Sequence, residues 1–169
     1  MSVGTIVVLA LLAFIGTTIF KGVRIVPQGY KWIVQRLGKY HTTLGPGLNF
    51  VIPYIDEVAY KITTKDIVLD IPSQEVITRD NAVLVMNAVA YINLTTPEKA
   101  VYGIENYIWA IQNLVQTSLR SIVGEMDLDD ALSSRDHIKA KLKAAISDDI
   151  SDWGITLKTV EIQDIQPSH

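Results

Sequence analysis

From Ser2 to Phe20 the chain reads SVGTIVVLALLAFIGTTIF, with no charged side chain. As a helix rising ~1.5 Å per residue this stretch is about 28 Å long, close to the ~30 Å hydrocarbon core of a bilayer. A cleaved secretory signal has a similar apolar core, but it carries a basic stretch ahead of that core and small residues behind it. Here only Met1 precedes the run, and Thr17-Thr18-Ile19-Phe20-Lys21 ends it. Residues 1–22 are therefore expected to be an uncleaved transmembrane anchor. The apolar fraction of 49% over 169 residues, more than a small soluble core requires, agrees with that reading.

Charge is distributed unevenly behind the anchor. Lys21, Arg24, Lys31, Arg36 and Lys39 all come before the first acidic residue, Asp56. By the positive-inside rule the N-terminus lies outside and the large C-terminal part is cytoplasmic. Such cations are attracted to anionic headgroups by ~1 kcal/mol each when close to the surface, although an ordinary solvated face has the same composition. From Asp56 onward the chain holds all 18 acidic residues and ten of the 15 basic ones, a balance of −8, which argues against nucleic acid as a partner. Cysteine is absent, which excludes disulfides, thiolate catalysis and cysteine-based zinc sites.

Strands are predicted at Val23–Val26 and Tyr30–Arg36, joined by a Pro27-Gln28-Gly29 turn. The segment His41 to Gly47 is predicted as a loop because of Gly45-Pro46-Gly47. The apolar run Leu48 to Ile55 has two readings, a buried core strand or a loop dipping into the headgroup region; the residue pattern alone favours the strand. Further strands are predicted at Val58–Thr63, Asp66–Ile71 and Ala82–Leu94, the last with every even position apolar. Thr96-Pro97-Glu98 opens a short helix ending near Gly103. A longer one runs from about Asn106 to Gly124 with a core stripe of Ile108, Ile111, Val115, Leu119 and Ile122. A third starts at Ser133 in a capping box with Asp136, buries Ile138, Leu142, Ala145, Ile146 and Ile150, and stops at Gly154. The final strand, Ile155–Ile165, changes apolar parity near Lys158-Thr159, where a bulge is expected. Strands, then helices, then a strand make an α+β domain of about 145 residues behind one membrane helix.

Catalytic signatures are missing: there is no phosphate loop, no dinucleotide-binding glycine motif, no H-E-x-x-H and no G-x-S-x-G. His41, His137 and His169 have no partner at metal-ligand spacing, so no metal or cofactor is expected. Asp127, Asp129 and Asp130 lack the EF-hand glycine and terminal glutamate and read as helix-end electrostatics. A membrane protease would need an activated serine or acidic residue, and none is marked by a local signature. A binding module using the acidic Asp127 to Asp130 and Asp148-Asp149 is a second alternative, with solvated surface as the plainer role for those charges.

Two stretches, VPQGYKWIVQRLGKYHTTLGPGLNFVIPYID (Val26 to Asp56) and LDIPSQEVITRDNAVLVMNAVAYINL (Leu69 to Leu94), resemble the SPFH or band 7 domain of stomatin, prohibitin, flotillin and HflK/C. LVQTSLRSIVGEMDLDDALSSRD (Leu114 to Asp136) and WGITLKTVEIQDIQP (Trp153 to Pro167) are similar to the bacterial QmcA and mitochondrial paraslipin branch of the stomatins. The resemblance implies an SPFH domain over residues 23–167, mostly antiparallel sheet with packed helices, in a single-pass protein of a bacterial inner membrane. It implies a non-enzymatic scaffold that forms large homo-oligomeric rings or cages and organises membrane microdomains. It also implies partnership with NfeD-family proteins or FtsH-type membrane proteases in quality control. Family members lay the first part of the domain on the bilayer, which shifts the reading of Leu48, Phe50, Val51 and Ile52 toward membrane contact. The residues expected to matter are the anchor (Val7, Leu9, Leu12, Phe14), the basic rim (Lys21, Arg24, Lys31) and that apolar loop. The family continues past the DIQP segment with a long charged assembly helix, whereas this sequence ends at His169. Either the sequence is shortened or it lacks that helix, which leaves ring formation by these residues alone an open question.

Overall fold

The computed structural model describes residues 1–168. Its first element is helix α1, Val3–Lys21, capped by Ser2, whose hydroxyl accepts the Thr5 N–H at 3.4 Å. The polar side chains near its end are satisfied within the helix, since the Thr17 and Thr18 hydroxyls donate to the Ala13 and Phe14 carbonyls at 2.7 and 2.8 Å. No side chain of α1 is buried, and the helix is long and apolar enough to cross a membrane.

The chain divides into two compact units, Met1–Thr64 and Lys65 onward, so the 23–167 stretch expected as one domain contains a division at Thr64. In the first unit α1 is followed by β1 (Val23–Val26), β2 (Tyr30–Arg36), β3 (Lys39–Leu44), β4 (Gly47–Phe50) and β5 (Asp56–Thr63). Strands β1 and β4 form an antiparallel ribbon, while β3, β2 and β5 form a separate antiparallel sheet with β2 central. The expected loop from His41 is in fact β3 as far as Leu44. It folds back on β2 through Leu37-Gly38, both at positive φ (52° and 83°), the two-residue turn whose twist matches a hairpin. A small core of Val26, Val34, Leu44 and Val51, flanked by Trp32 and Val58, lies inside this unit.

The second unit contains β6 (Ile67–Ile77), β7 (Val83–Leu94), α2 (Pro97–Gly103), α3 (Tyr107–Gly124), α4 (Leu128–Ser133), α5 (Arg135–Ser151) and β8 (Ile155–Pro167). Strand β7 lies between β6 and β8, antiparallel to both. Helix α3 packs on β6, α5 packs on β8, and the two helices pack on each other, giving a two-layer α+β body. The even positions of β7 from Leu84 to Leu94 are buried, as their alternation requires. They meet Ile111, Val115 and Leu119 of α3, with Ile138, Leu142, Ile146 and Ile150 of α5, in a core from which Ile108 and Ala145, expected inside, are excluded. Both sit at the edge of their helical stripes, facing away from the sheet layer.

Two expected caps differ in detail. Thr96 occupies the N-cap of α2, but its side chain makes no capping bond. Ser133 does not open α5: it closes α4, donating its hydroxyl to the Asp129 carbonyl at 2.7 Å, and the N-cap falls on Ser134. The acidic run does mark a helix start, with Asp127 at the N-cap of α4 and Asp129 and Asp130 in its first turn.

The parity change in β8 is a bulge at Lys158, because Tyr91 pairs with Thr159 while Ile92 pairs with Leu157. A second bulge leaves Gln163 unpaired between the Asn87–Asp164 and Ala88–Ile162 pairs. A bulged residue cannot place its carbonyl in the regular ladder, and here α5 supplies the missing donors. Arg135 donates to the Gln163 carbonyl at 3.3 Å and Lys143 to the Lys158 carbonyl at 3.4 Å. Between them Lys139 pairs with Glu161 at 2.6 Å, and this contact holds the Glu161 carboxyl below its ordinary pKa. Cations at four-residue spacing on one helix face thus follow the irregular strand.

A candidate membrane-contact surface

Register determines what the β1–β4 ribbon shows to its surroundings. Val23 stands opposite Phe50 and Ile25 opposite Leu48, so these four share one face; Arg24–Asn49 and Val26–Gly47 share the other. The first face is apolar yet uncovered, with Ile25, Leu48 and Phe50 exposed by 69%, 63% and 66%. The opposite face turns Val26 into the small core. Side chains of this size at two-thirds exposure in one patch mark a contact surface more than a solvated strand.

The ribbon is fastened to the foot of α1. Gly22 donates to the Thr18 and Ile19 carbonyls at 3.0 and 3.1 Å and accepts the Val51 N–H at 2.7 Å, and β1 begins at the next residue. A Cβ at Gly22 would stand 2.5 Å from the Val51 carbonyl, so a larger residue cannot keep this approach. The same junction explains a correction. Val51 was expected to touch lipid, but it is 9% exposed and belongs to the core with Val26, Val34 and Leu44, because the bond to Gly22 turns its side chain inward. Ile52 beyond it is exposed again. The run Leu48 to Ile55 is thus neither a buried strand nor a simple loop: β4 ends at Phe50, and its apolar side chains point outward.

Asp56 holds the return of this loop. Its carboxylate takes Arg36 in a two-pronged pair, Nε to Oδ1 at 2.7 Å and Nη2 to Oδ2 at 3.1 Å, and accepts the Ile52 N–H at 2.8 Å. With its side chain 2% exposed, the Arg36 hydrogen bond, helped by the Ile52 N–H, outweighs burial and lowers the Asp56 pKa to about 2. Its negative charge is therefore committed to Arg36.

The expected basic residues are spread over α1, the ribbon and the three-stranded sheet. Lys21 ends α1 with its Nζ 5.8 Å from the centre of the Tyr54 ring. Arg24 is half-buried, donating to the Lys21 and Val23 carbonyls at 2.6 and 3.1 Å. Lys31 lies on β2 opposite Ile62, on the three-stranded sheet and not on the ribbon. In α1 the side chains of Val7, Leu9, Leu12 and Phe14 are all uncovered. One residue of the surface escapes the sequence reading, Ile25, whose exposure depends on its pairing with Leu48; Tyr54, 80% exposed and held at φ 74° after Pro53, lies within the Leu48 to Ile55 run but is not singled out by it. A non-glycine residue at positive φ directly after proline has no reliable sequence signature.

Among the described residues no group of three or more His, Cys, Asp or Glu side chains is arranged to hold a metal ion. His169 lies outside the described residues.

The SPFH domain / Band 7 family model matches residues 24–169. An uncharacterized protein of Methanocaldococcus jannaschii is 41% identical over 149 residues, covering 88% of this chain and 74% of that protein. An uncharacterized protein of Mycobacterium tuberculosis is 35% identical over 164 residues, 97% of this chain but 43% of its own length. Human mitochondrial stomatin-like protein 2 is 39% identical over 140 residues, 83% of this chain and 39% of its own. The chain thus spans less than half the length of the mycobacterial and human relatives.

Proposed function

Because this chain belongs to the SPFH domain / Band 7 family, we propose that it is a membrane-anchored, non-enzymatic scaffold, with α1 crossing the bilayer and the remainder on the cytoplasmic side. The observation that carries this reading is the uncovered apolar face of Ile25, Leu48 and Phe50, fastened to the end of a membrane-length helix by the Gly22–Val51 bond. In water that face would cost about 25 cal/mol for each Å² of apolar surface left wet. Against a bilayer the same surface becomes the contact. The cations Lys21, Arg24, Lys31 and Lys39, ahead of the first acidic residue, support the cytoplasmic orientation.

In this reading the protein associates with copies of itself in a large ring or cage and organises membrane microdomains. Its physiological setting is quality control of membrane proteins beside an FtsH-type protease or an NfeD-family protein. Family membership and resemblance to stomatin-like proteins support this part.

The sequence has no cysteine, so a Phe50→Cys variant carries one polarity-sensitive probe at a unique site. In vesicles the probe is expected to report an apolar, water-poor environment; full solvent exposure there would falsify the membrane-contact reading. Assembly is tested by particle mass in mild detergent, for this chain and for a version extended with a charged helix of the family. A large closed particle supports the scaffold, whereas a monomer in both removes ring formation and leaves a simple binding module.

A further inference from the structure

A cleft of about 650 Å³ opens beside the foot of α1, lined by Phe20, Lys21, Arg24, Trp32, Tyr54 and Asp56 among others. Its charges do not cancel. Asp56 is committed to Arg36 and the Ile52 N–H. Among the described residues neither Lys21 nor Arg24 pairs with a carboxylate. Arg24 commits only Nη1 to backbone carbonyls, leaving Nε and Nη2 without an acceptor among the described residues. The ammonium of Lys21 lies 5.8 Å from the centre of the Tyr54 ring, and that ring is displayed by a residue in a backbone conformation side chains rarely adopt. Two uncompensated cations between aromatic walls suit a ligand with anionic oxygens and an apolar body. Helix-end electrostatics would account for Lys21 alone, but it gives no reason for a cleft, a displayed tyrosine or the spare donors of Arg24.

We propose that this cleft seats the headgroup phosphate of an anionic membrane phospholipid, with Lys21 and Arg24 on its oxygens and Phe20 and Tyr54 along its glycerol and upper acyl chain. The inference rests on the membrane reading above and deepens it: lipid is held at one saturable place and not only attracted to a basic surface. Phe20 and Lys21 end the membrane-length helix, which puts the cleft at headgroup depth when α1 spans the bilayer.

The test uses the full chain in phosphatidylcholine vesicles containing a minor fraction of spin-labelled phosphatidylglycerol, and reads the motionally restricted label. The expected result is a saturating restricted population that weakens about five-fold in Arg24→Gln, as loss of one surface cation predicts, and is unchanged in Lys39→Gln. Tyr54→Ala, which leaves every charge in place, is expected to weaken it as well. An equal loss in Lys39→Gln, or a population that never saturates, would overturn the proposal in favour of diffuse attraction. Displacement by millimolar inorganic phosphate would overturn it in favour of a soluble anion. The Phe50→Cys probe separates the two levels: a probe in water sinks the membrane reading and this site together, whereas a buried probe without restricted lipid sinks the site alone.

Discussion

The two units solve the problem of burying apolar surface in opposite ways. In the second unit every helix and strand contributes side chains to one core, from Leu69 and Ile71 of β6 to Ile162 and Ile165 of β8. In the first unit, Ile33 and the cluster of Val26, Val34, Leu44 and Val51 are covered, while all of α1 together with Ile25, Leu48, Phe50, Ile52 and Tyr54 is left bare. Charge divides along the same line. The first unit holds Lys21, Arg24, Lys31, Arg36, Lys39 and Lys61 against only Asp56 and Glu57, and every other acidic residue of the chain lies beyond Thr64. A body that closes its own core and carries excess negative charge is suited to water. A basic body with an open apolar face is suited to an anionic bilayer surface.

If that contrast holds, damage to the second unit is paid in folding and damage to the first in lipid contact. The largest expected effect is Leu142→Ala, which empties a fully buried site between α5 and the sheet and costs about 3 kcal/mol in denaturant unfolding. The loss should be the same in detergent and in vesicles. A lipid-dependent loss would break the comparison.

Gly154→Ala comes next, at about 2 kcal/mol or more. Its backbone sits at φ 70°, and an added Cβ would meet the Thr96 carbonyl at 2.5 Å, at the point where Thr96 N–H bonds the Gly154 carbonyl. Thermal unfolding of the second unit is the readout, and a Phe50→Cys probe in the first unit should not respond.

Phe50→Ser reverses the pattern. It is expected to weaken docking of the ribbon on the vesicle surface by about 1.5 kcal/mol, read by a polarity probe at Leu48→Cys, while shifting denaturant unfolding of the second unit by less than about 0.5 kcal/mol. A large stability loss with unchanged docking would mean that Phe50 packs against protein.

The smallest effect is acid loosening of the first unit. An unfolded aspartate titrates near ~3.9 and Asp56 at about 2, so its ionised form adds stability above about pH 4. That contribution fades as pH falls from about 4 through 2. The probe at position 50 should report it in the native chain, and Asp56→Asn should show no transition in that window.

The elements with long period patterns were legible in the sequence: α1, the alternation of β7, the stripes of α3 and α5, and the bulge at Lys158. These patterns repeat over enough residues for a single face to emerge. The candidate surface was legible only in part. Resemblance points to Leu48, Phe50 and Ile52, but it points equally to Val51, whose inward turn is set by the bond to Gly22, a residue 29 positions earlier. Strand β3 was hidden by the stronger turn signal of Gly45-Pro46-Gly47. Ile25 and the Arg36–Asp56 pair depend on partners 20 or more residues away, which no local period encodes.

The Gly22 junction has a mechanical consequence. With a single residue between helix and ribbon, and a backbone bond closing the gap, no slack separates the two. A helix whose length differs from the local hydrocarbon thickness adapts by tilting. In a protein with a loose linker the tilt would be absorbed there; if α1 spans the bilayer as proposed, the tilt instead becomes a lever that lifts or presses the ribbon against the headgroups. On that reading bilayer thickness is converted into the depth of Phe50, and a depth-resolved probe at that position should move between membranes of short and long acyl chains. A Gly-Ser insertion after Gly22 should uncouple the two.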